Sequence, residues 1–195
     1  MIDLTKALTL EDERVRLRPL SRSDSESLLA FSLNEPELWT YSLIPANGKE
    51  NLERYIELAL EARDANSALP FLVFDKQAND VAGSTRFYDY QPTHSTVQIG
   101  FTWYGKHFQG TGLNRHCKRL MLQQAFEVWK LDRVEFRADA LNLRSISAMK
   151  RIGCVEEGVL RNNCSSPTGR RDSIVLSILK DEWYARVKAA LMANG

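Results

Sequence analysis

Cysteine is scarce in this chain. Of its 195 residues only Cys117, Cys154 and Cys164 are thiols, an odd number with no paired or metal-type spacing. That excludes a disulfide framework and fits free thiols in a reducing compartment, so a cytoplasmic location is expected. Net charge is equally small, because 26 basic residues against 25 acidic ones leave +1. With no excess of either sign there is no general electrostatic drive toward nucleic acid or an anionic membrane, and the expected partner is a small molecule. Long apolar runs are missing too. No segment approaches the roughly 18 uninterrupted apolar residues of a membrane span, and the opening "MIDLTKALTLEDERVRLRPL" has no apolar signal core. The three histidines, His94, His107 and His116, form no zinc spacing with the cysteines, and His116 and Cys117 point to different faces of a helix, so no metal is expected. Nor is there an internal repeat or a low-complexity segment.

What is present is enough apolar residue for a core. At 44% hydrophobic content and this length, one domain over residues 1–195 is expected. Residues 13–20, "ERVRLRPL", alternate with Val15 and Leu17 on one side, the period of a half-buried strand. In "SRSDSESLLAFSLN" Ser23 and Glu26 stand in capping-box relation ahead of Leu28, Leu29 and Phe31, which predicts a short helix. From Lys49 to Asn66 a second helix follows from Leu52, Tyr55, Ile56, Ala59, Leu60 and Ala62. "LPFLVFD", "VAGSTRFYDY" and "STVQIGFTWY", with Val97, Ile99, Phe101 and Trp103 on one parity, predict three strands joined by short turns into an antiparallel meander. Leu113, Cys117, Met121, Ala125 and Val128 then mark an amphipathic helix to about Lys130. "DRVEFRADA" is a strand, "LNLRSISAMKRIG" a short helix with Ser145, Ala148, Met149 and Ile152 on one stripe, and "RRDSIVLSILKDEW" a long strand before a helical tail. Tight links favour antiparallel pairing and helical crossovers parallel pairing, so the sheet should be mixed.

The stretch "HFQGTGLN", residues 107–114, sets two glycines one residue apart at the start of a helix. Helix N-termini offer unpaired N–H groups and the positive end of the dipole, so the loop suits a phosphate or pyrophosphate; a plain tight turn is the bland alternative. A nucleotide P-loop needs a lysine and a hydroxyl residue after its last glycine, where this chain has Leu113 and Asn114. The dinucleotide fingerprint needs a third glycine where Arg115 stands. ATP and NAD lose their support accordingly.

"QGTG" after the strand "VQIGFTWY" resembles the pyrophosphate loop of the GNAT N-acetyltransferases, with His107 where that motif carries Arg or Gln. "RVEFRADALNLRSISAMKRIGCVEEGVLR" is similar to the second half of the ribosomal-protein-type (RimJ/RimL-like) branch, through Asn142, Ser145, Gly153-Cys154, Glu157-Gly158 and Arg161. The ending "GRRDSIVLSILKDEW" resembles that branch as well, at Arg171-Asp172, Ser177 and Glu182-Trp183. The resemblance runs from about Arg16 to Trp183. It implies an α/β (α+β) fold with a mixed, largely antiparallel sheet of about six to seven strands and helices on both faces. Acetyl-CoA would enter between splayed strands four and five, "STVQIGFTWY" and "DRVEFRADA". Backbone groups around Phe101, Thr102 and Trp103 would bind the pantetheine and polarise the thioester carbonyl. N–H groups of Gln109, Gly110, Thr111, Gly112, Leu113 and Asn114 would bind the pyrophosphate, with Asn142 and Ser145 beside the pantetheine and sulfur. These roles agree with the chemistry, since phosphates want N–H donors and a developing oxyanion wants a preorganised one.

Acetyl transfer to an amine requires removal of one proton from nitrogen and delivery of one to the thiolate. The tyrosine acid common in the superfamily is replaced by Met149, and the strand-four glutamate by Gln98. A carboxylate used in part of the ribosomal-protein branch would fall near Cys164. Ser145 matches the serine proposed as acid in that branch; a hydrogen bond without proton transfer is the equal alternative. Asp139, Glu135, Tyr104 and His107 are the remaining titratable neighbours, each also readable as structural, and a water chain would suffice where proximity supplies much of the acceleration. Trp39 and Tyr41 are weak candidates for the acceptor pocket, with packing over the sheet as the alternative. Arg170, Arg171 and Asp172 read as a turn and strand start first, as a substrate contact second. The expectation is an acetyl-CoA-dependent N-acetyltransferase that acts, as a monomer or homodimer, on a primary amine (a protein N-terminus or a small amine) by direct attack in a ternary complex. The alternative is a non-catalytic acyl-CoA-binding or sensing module with the same fold.

Overall fold

The structure, a computed structural model, describes residues 2–167 and 169–193. Among the described residues eight strands form one sheet in the order β1-β2-β3-β4-β5-β6-β8-β7. They are β1 (Leu10–Glu11), β2 (Val15–Pro19), β3 (Ala68–Asp75), β4 (Asp80–Gln91), β5 (Thr96–Tyr104), β6 (Arg133–Asp139), β7 (Val155–Ser166) and β8 (Gly169–Leu179). Every adjacent pair is antiparallel except β5 with β6. The reason is topological: short turns join β3 to β4 to β5, whereas β5 reaches β6 through a helical crossover, which restores the strand direction. The count exceeds the expected six to seven. β1 is only two residues long, too short to show a period, and it moves the expected cleft between strands four and five to strands β5 and β6. Strand β7 is mostly solvent-exposed, so it carries little apolar alternation to read.

Helices cover both faces. On one face α1 (Asp24–Asn34) and α2 (Lys49–Asp64) bury Leu28, Leu52, Tyr55, Ile56 and Leu60 with Trp39, Leu72 and Trp103. On the other lie α3 (Leu113–Gln123), α4 (Leu143–Arg151) and the C-terminal helix, which runs as α5 (Lys180–Glu182), a π turn (Trp183–Val187) and α6 (Lys188–Met192). Their core holds Val97, Ile99, Cys117, Met121, Phe126, Phe136, Met149 and Trp183. No helix among the described residues is long and apolar enough to cross a membrane.

Three local expectations are corrected. Ser23 precedes α1 but its side chain makes no capping bond; instead Asp24 accepts from the Ser21 N–H at 2.8 Å and from Arg18. Val128 is 62% exposed rather than on the buried stripe, because α3 passes into a π turn over Gln124–Val128. That extra residue per turn rotates whatever follows, and Phe126 takes the core position. On α4 the buried residues are Ile146 and Met149, joined by the C-cap residue Ile152, while Ser145 and Ala148 are half-buried.

Candidate active site

Strands β5 and β6 are hydrogen-bonded only at Thr96–Arg133, Val97–Val134 and Gln98–Glu135. Past that seam β5 stays with β4 as far as Tyr104 and β6 with β8 as far as Asp139, so the two strands part and leave a V-shaped cleft. The lip on β5 is distorted. Ser84 pairs with Trp103 and Arg86 with Gly100, so Thr85 faces two residues of β5. Phe101 absorbs the mismatch at φ +50, with its carbonyl accepting from the Tyr55 hydroxyl at 3.3 Å. A bulge of this kind re-aims side chains. Val97 and Ile99 point into the α3 core, whereas Phe101 and Trp103 join the α2 core, so the expected common parity of the four breaks at Phe101. Thr102 returns to the α3 side, where its hydroxyl meets Thr85 Oγ1 at 2.7 Å.

At the open end of β5, Lys106–Phe108 form one 3-10 turn and lead into the glycine loop. Gly110 and Gly112 lie in the left-handed region, φ +77 and +88, with nothing within 4 Å of where a Cβ would stand. Glycine is needed there for backbone conformation, and it leaves the loop surface clear. Gln109 braces the loop, its Nε2 donating to the Tyr104 carbonyl at 2.8 Å and its Oε1 accepting from Arg144 of α4. Among the described residues no acceptor bonds the N–H groups of Gly110, Thr111 or Gly112, and those of Leu113 and Asn114 belong to the first helical turn, which has no internal partner. Of the six expected donors the Gln109 N–H is taken, bonded to the Lys106 carbonyl at 3.1 Å as the 3-10 turn closes; the other five stand at the positive end of α3, on residues that are exposed or half-buried apart from Leu113, whose side chain anchors the helix in the core. That donor set fits a diphosphate.

Across the cleft, Asn142 caps α4, its Oδ1 accepting from the Ser145 N–H at 3.1 Å. The Asn-x-x-Ser spacing therefore has a structural cause, since it is the spacing of an N-cap and the third residue of its helix. Ser145 itself is half-buried, and its hydroxyl makes no hydrogen bond among the described residues. A cavity of about 390 Å³ between Glu37, Leu38, Tyr41, Leu141, Asn142 and Arg144 joins this helix to the segment between α1 and α2. Tyr41 lines it. Trp39 does not, being 4% exposed and packed edge-on against Trp103 at 5.1 Å.

The remaining titratable candidates are mostly engaged. Tyr104 is buried, its hydroxyl 3.1 Å from Asn114 Oδ1, and burial holds its pKa well above the ordinary value. Glu135 is bracketed by Arg133 and Arg137 at 2.9 and 2.7 Å. Asp139 accepts from the Leu141 N–H at 2.9 Å, and exposed His107 packs edge-on against Phe108. Gln98 gives its Nε2 to Asp89 at 2.6 Å, and Met149 is packed in the core. Of the residues noted at the ends of the second half, Glu157 pairs with Arg133 and accepts from Ser177 at 2.7 Å, and Asp172 accepts from the Asn162 N–H at 2.6 Å. His116 meets Asp12 and Glu13, but Arg119 already pairs with the same Asp12 oxygen, so this cluster carries its own cation.

Two buried cations escape the sequence patterns. Lys118, 4% exposed, donates to Thr102 Oγ1 at 2.7 Å and Thr85 Oγ1 at 3.0 Å with no carboxylate partner, and burial pulls its pKa down to about 8. Arg86, 3% exposed, lies against the rings of Phe101 and Tyr55. The available signal was a charge beside Cys117 on the apolar stripe in one case, and a charge centred in an apolar strand in the other.

The sequence profile of the acetyltransferase (GNAT) domain matches residues 14–155. The chain belongs to the GNAT acetyltransferases. This GNAT chain is 25% identical over 177 residues to the Bacillus subtilis (strain 168) protein named "Putative ribosomal N-acetyltransferase YdaF", across 88% of this chain and 94% of that one. The relative agrees with the ribosomal-protein-type resemblance of the motifs. A crystal structure titled as a "putative acetyltransferase" from T. thermophilus superposes with TM-score 0.85 at 34% identity, covering 95% of each chain. The microcin C7 self-immunity acetyltransferase MccE, solved with acetyl-CoA and AMP, shares the fold at TM-score 0.76 and 21% identity, over 86% of this chain and 93% of that one. The activity class is accordingly N-acetyl transfer, with acetyl-CoA as the acetyl donor.

Proposed function

We propose that the protein transfers acetyl from acetyl-CoA to a primary amine, a protein N-terminus or a small amine, by direct attack in a ternary complex. The observation that carries this reading is the seam: three bonded pairs and then divergence, with the free donors of Gly110–Asn114 on one lip and the α4 N-terminus on the other. Pantetheine would run along β5 past Phe101, Thr102 and Trp103, and the diphosphate would take the five N–H groups. Acetyl-CoA supplies an activated acyl group and a thiolate leaving group. Ser145, whose hydroxyl is free to turn, would hydrogen-bond the departing sulfur and pass it a proton, taking one in turn from the water that receives the amine's. Neither Gln98 nor Cys164 offers a carboxylate base, so the amine would lose its proton to water while the cleft aligns the two reactants, an arrangement that supplies much of the rate. Tyr41 would border the acceptor's entrance.

The test is thiol release from acetyl-CoA with a panel of amines and N-terminal peptides, together with two-substrate initial rates. Intersecting lines support the ternary complex; parallel lines would reject it. Thermal stabilisation by acetyl-CoA with no turnover of any amine would favour a binding module instead.

A further inference from the structure

Arg86 is a guanidinium removed from water without an anion. Its Nε and Nη2 are enclosed and bonded to nothing, and no ion pair or hydrogen bond among the described residues includes it. Its contacts are aromatic, with Cζ 4.0 Å from the Phe101 ring centroid and 5.0 Å from that of Tyr55. Stacking on two rings returns only part of what desolvating a bare cation costs, and the unbonded N–H groups add to the deficit. The nearby carboxylates are committed: Glu135 to Arg133 and Arg137, and Asp89 to Gln91 and Gln98.

The position of this charge is informative. Arg86 pairs with Gly100 across β4 and β5, directly at the bulge, and faces Tyr55 of α2. The glycine loop, α3 and α4 lie on the opposite face of the sheet. Other unpaired groups share Arg86's side. Gln98, two pairs further along β5 and so on the same face, has an enclosed and unbonded Oε1 while Asp89 holds its Nε2. Arg171 on β8, 8% exposed, has an unbonded Nε, and its charge is felt at Tyr88. On neighbouring strands, Arg86 offers N–H donors of fixed positive charge and Gln98 a carbonyl acceptor, the complement of a molecule that carries both an anion and an amine.

Resting on the acetyltransferase reading above, we infer that the acceptor amine bears a carboxylate, and that Arg86 is the residue that pairs with it. Phe101 stacks on Arg86 and meets the Tyr88 ring at 5.1 Å; because Arg86 is buried, the carboxylate would reach it as these rings part. Gln98 Oε1 is then placed to accept a hydrogen bond from the amine, orienting it without removing its proton.

The experiment compares glycine, serine, glutamate and β-alanine with their carboxamides, and Ser-Glu with Ser-Gln N-terminal peptides, in wild type, Arg86→Lys and Arg86→Met. Wild type should prefer the carboxylate member of at least one pair by about 10-fold or more in kcat/KM, the loss expected when a buried charge partner is removed. Arg86→Met should abolish that preference and Arg86→Lys keep part of it, both with an unchanged KM for acetyl-CoA and an unchanged acetyl-CoA thermal shift. A small-molecule pair points to a free amino acid, and the peptide pair to an acidic N-terminal segment. Equal rates for acid and amide in wild type, a preference that survives in Arg86→Met, or no turnover of any carboxylate-bearing amine by an enzyme that binds acetyl-CoA would each overturn the proposal. Failure of wild type to bind acetyl-CoA would instead sink the acetyltransferase reading on which it rests.

Discussion

Replacing Lys118 by methionine should make the protein more stable, not less. The ammonium is buried among Thr85, Thr102, Cys117 and Cys154 without a carboxylate, and burial lowers its pKa from 10.5 to about 8. At about 1.36 kcal/mol per tenfold change in proton affinity, the folded state forgoes roughly 3 kcal/mol by keeping this group charged. Methionine has similar length and no charge, and the Thr85 and Thr102 hydroxyls remain bonded to each other at 2.7 Å, so nothing polar is stranded. Lys118→Met should therefore gain about 1–3 kcal/mol at pH 7 in urea unfolding, after allowance for the lost Nζ bonds. The sign with pH follows. Below pH 8 the lysine is protonated in both folded and unfolded chains and the full cost is present. As pH rises from 8 toward 10.5 the folded lysine releases its proton first, so stability climbs. Cys117 and Cys154, held up to about 12 by burial, act in the opposite sense once unfolded thiols ionise near pH 9. The clean window is pH 8–9, where wild type should gain about 1 kcal/mol relative to Lys118→Met. A variant less stable than wild type at pH 7, or one with the same rise from pH 8 to 9, would refute this account of the buried ammonium.

Gly112→Trp should abolish the thermal shift with acetyl-CoA, because an indole would occupy the open space over the loop donors and strain a backbone at φ +88; an intact shift would relocate the diphosphate site. Ser145→Ala should lower kcat by about 10-fold or more with little change in KM for acetyl-CoA if the hydroxyl delivers a proton; an effect on KM alone would leave it a binding contact. Asn142→Ala should lower stability by about 1 kcal/mol through loss of the α4 cap, seen in melting, whereas an unchanged melt would mean that another group replaces the cap.

The sequence made the frame legible wherever one face of an element is buried. Val15 and Leu17 marked β2, and Leu52, Tyr55, Ile56, Ala59 and Leu60 marked α2, all buried as expected, while Ala62 at the end of that stripe is half-buried. Short links and helical crossovers were enough to anticipate a mixed, largely antiparallel sheet, but not that β2 and β3 pair antiparallel across their helical connection. What stayed hidden were features that a period does not encode. The bulge at Phe101 exchanges the faces of everything after it, and the π turn at Gln124–Val128 displaces Val128 from the core. Arg86 and Lys118 carry charge into positions that patterning assigns to apolar residues, because their partners are rings and hydroxyls distant in sequence. The glycine loop was readable because its chemistry is local: two left-handed residues and a helix start. The unpaired polar groups on the opposite face were not, since they come from β4, β5 and β8 and meet rings from α2 and β5.

The short join between β5 and β6 also has a mechanical consequence. Among the described residues, the three pairs from Thr96 to Gln98 are the sole ladder tying a five-strand half to a three-strand half. From Gln98 to Tyr104 the β5 lip extends about 20 Å at 3.3 Å per residue. Acting as a lever, a rotation of about 5° at the join would move the tips apart by roughly 2 Å. Side-chain volume at Val97 and Val134, both buried at the join itself, would thereby set how wide the cleft opens at its far end.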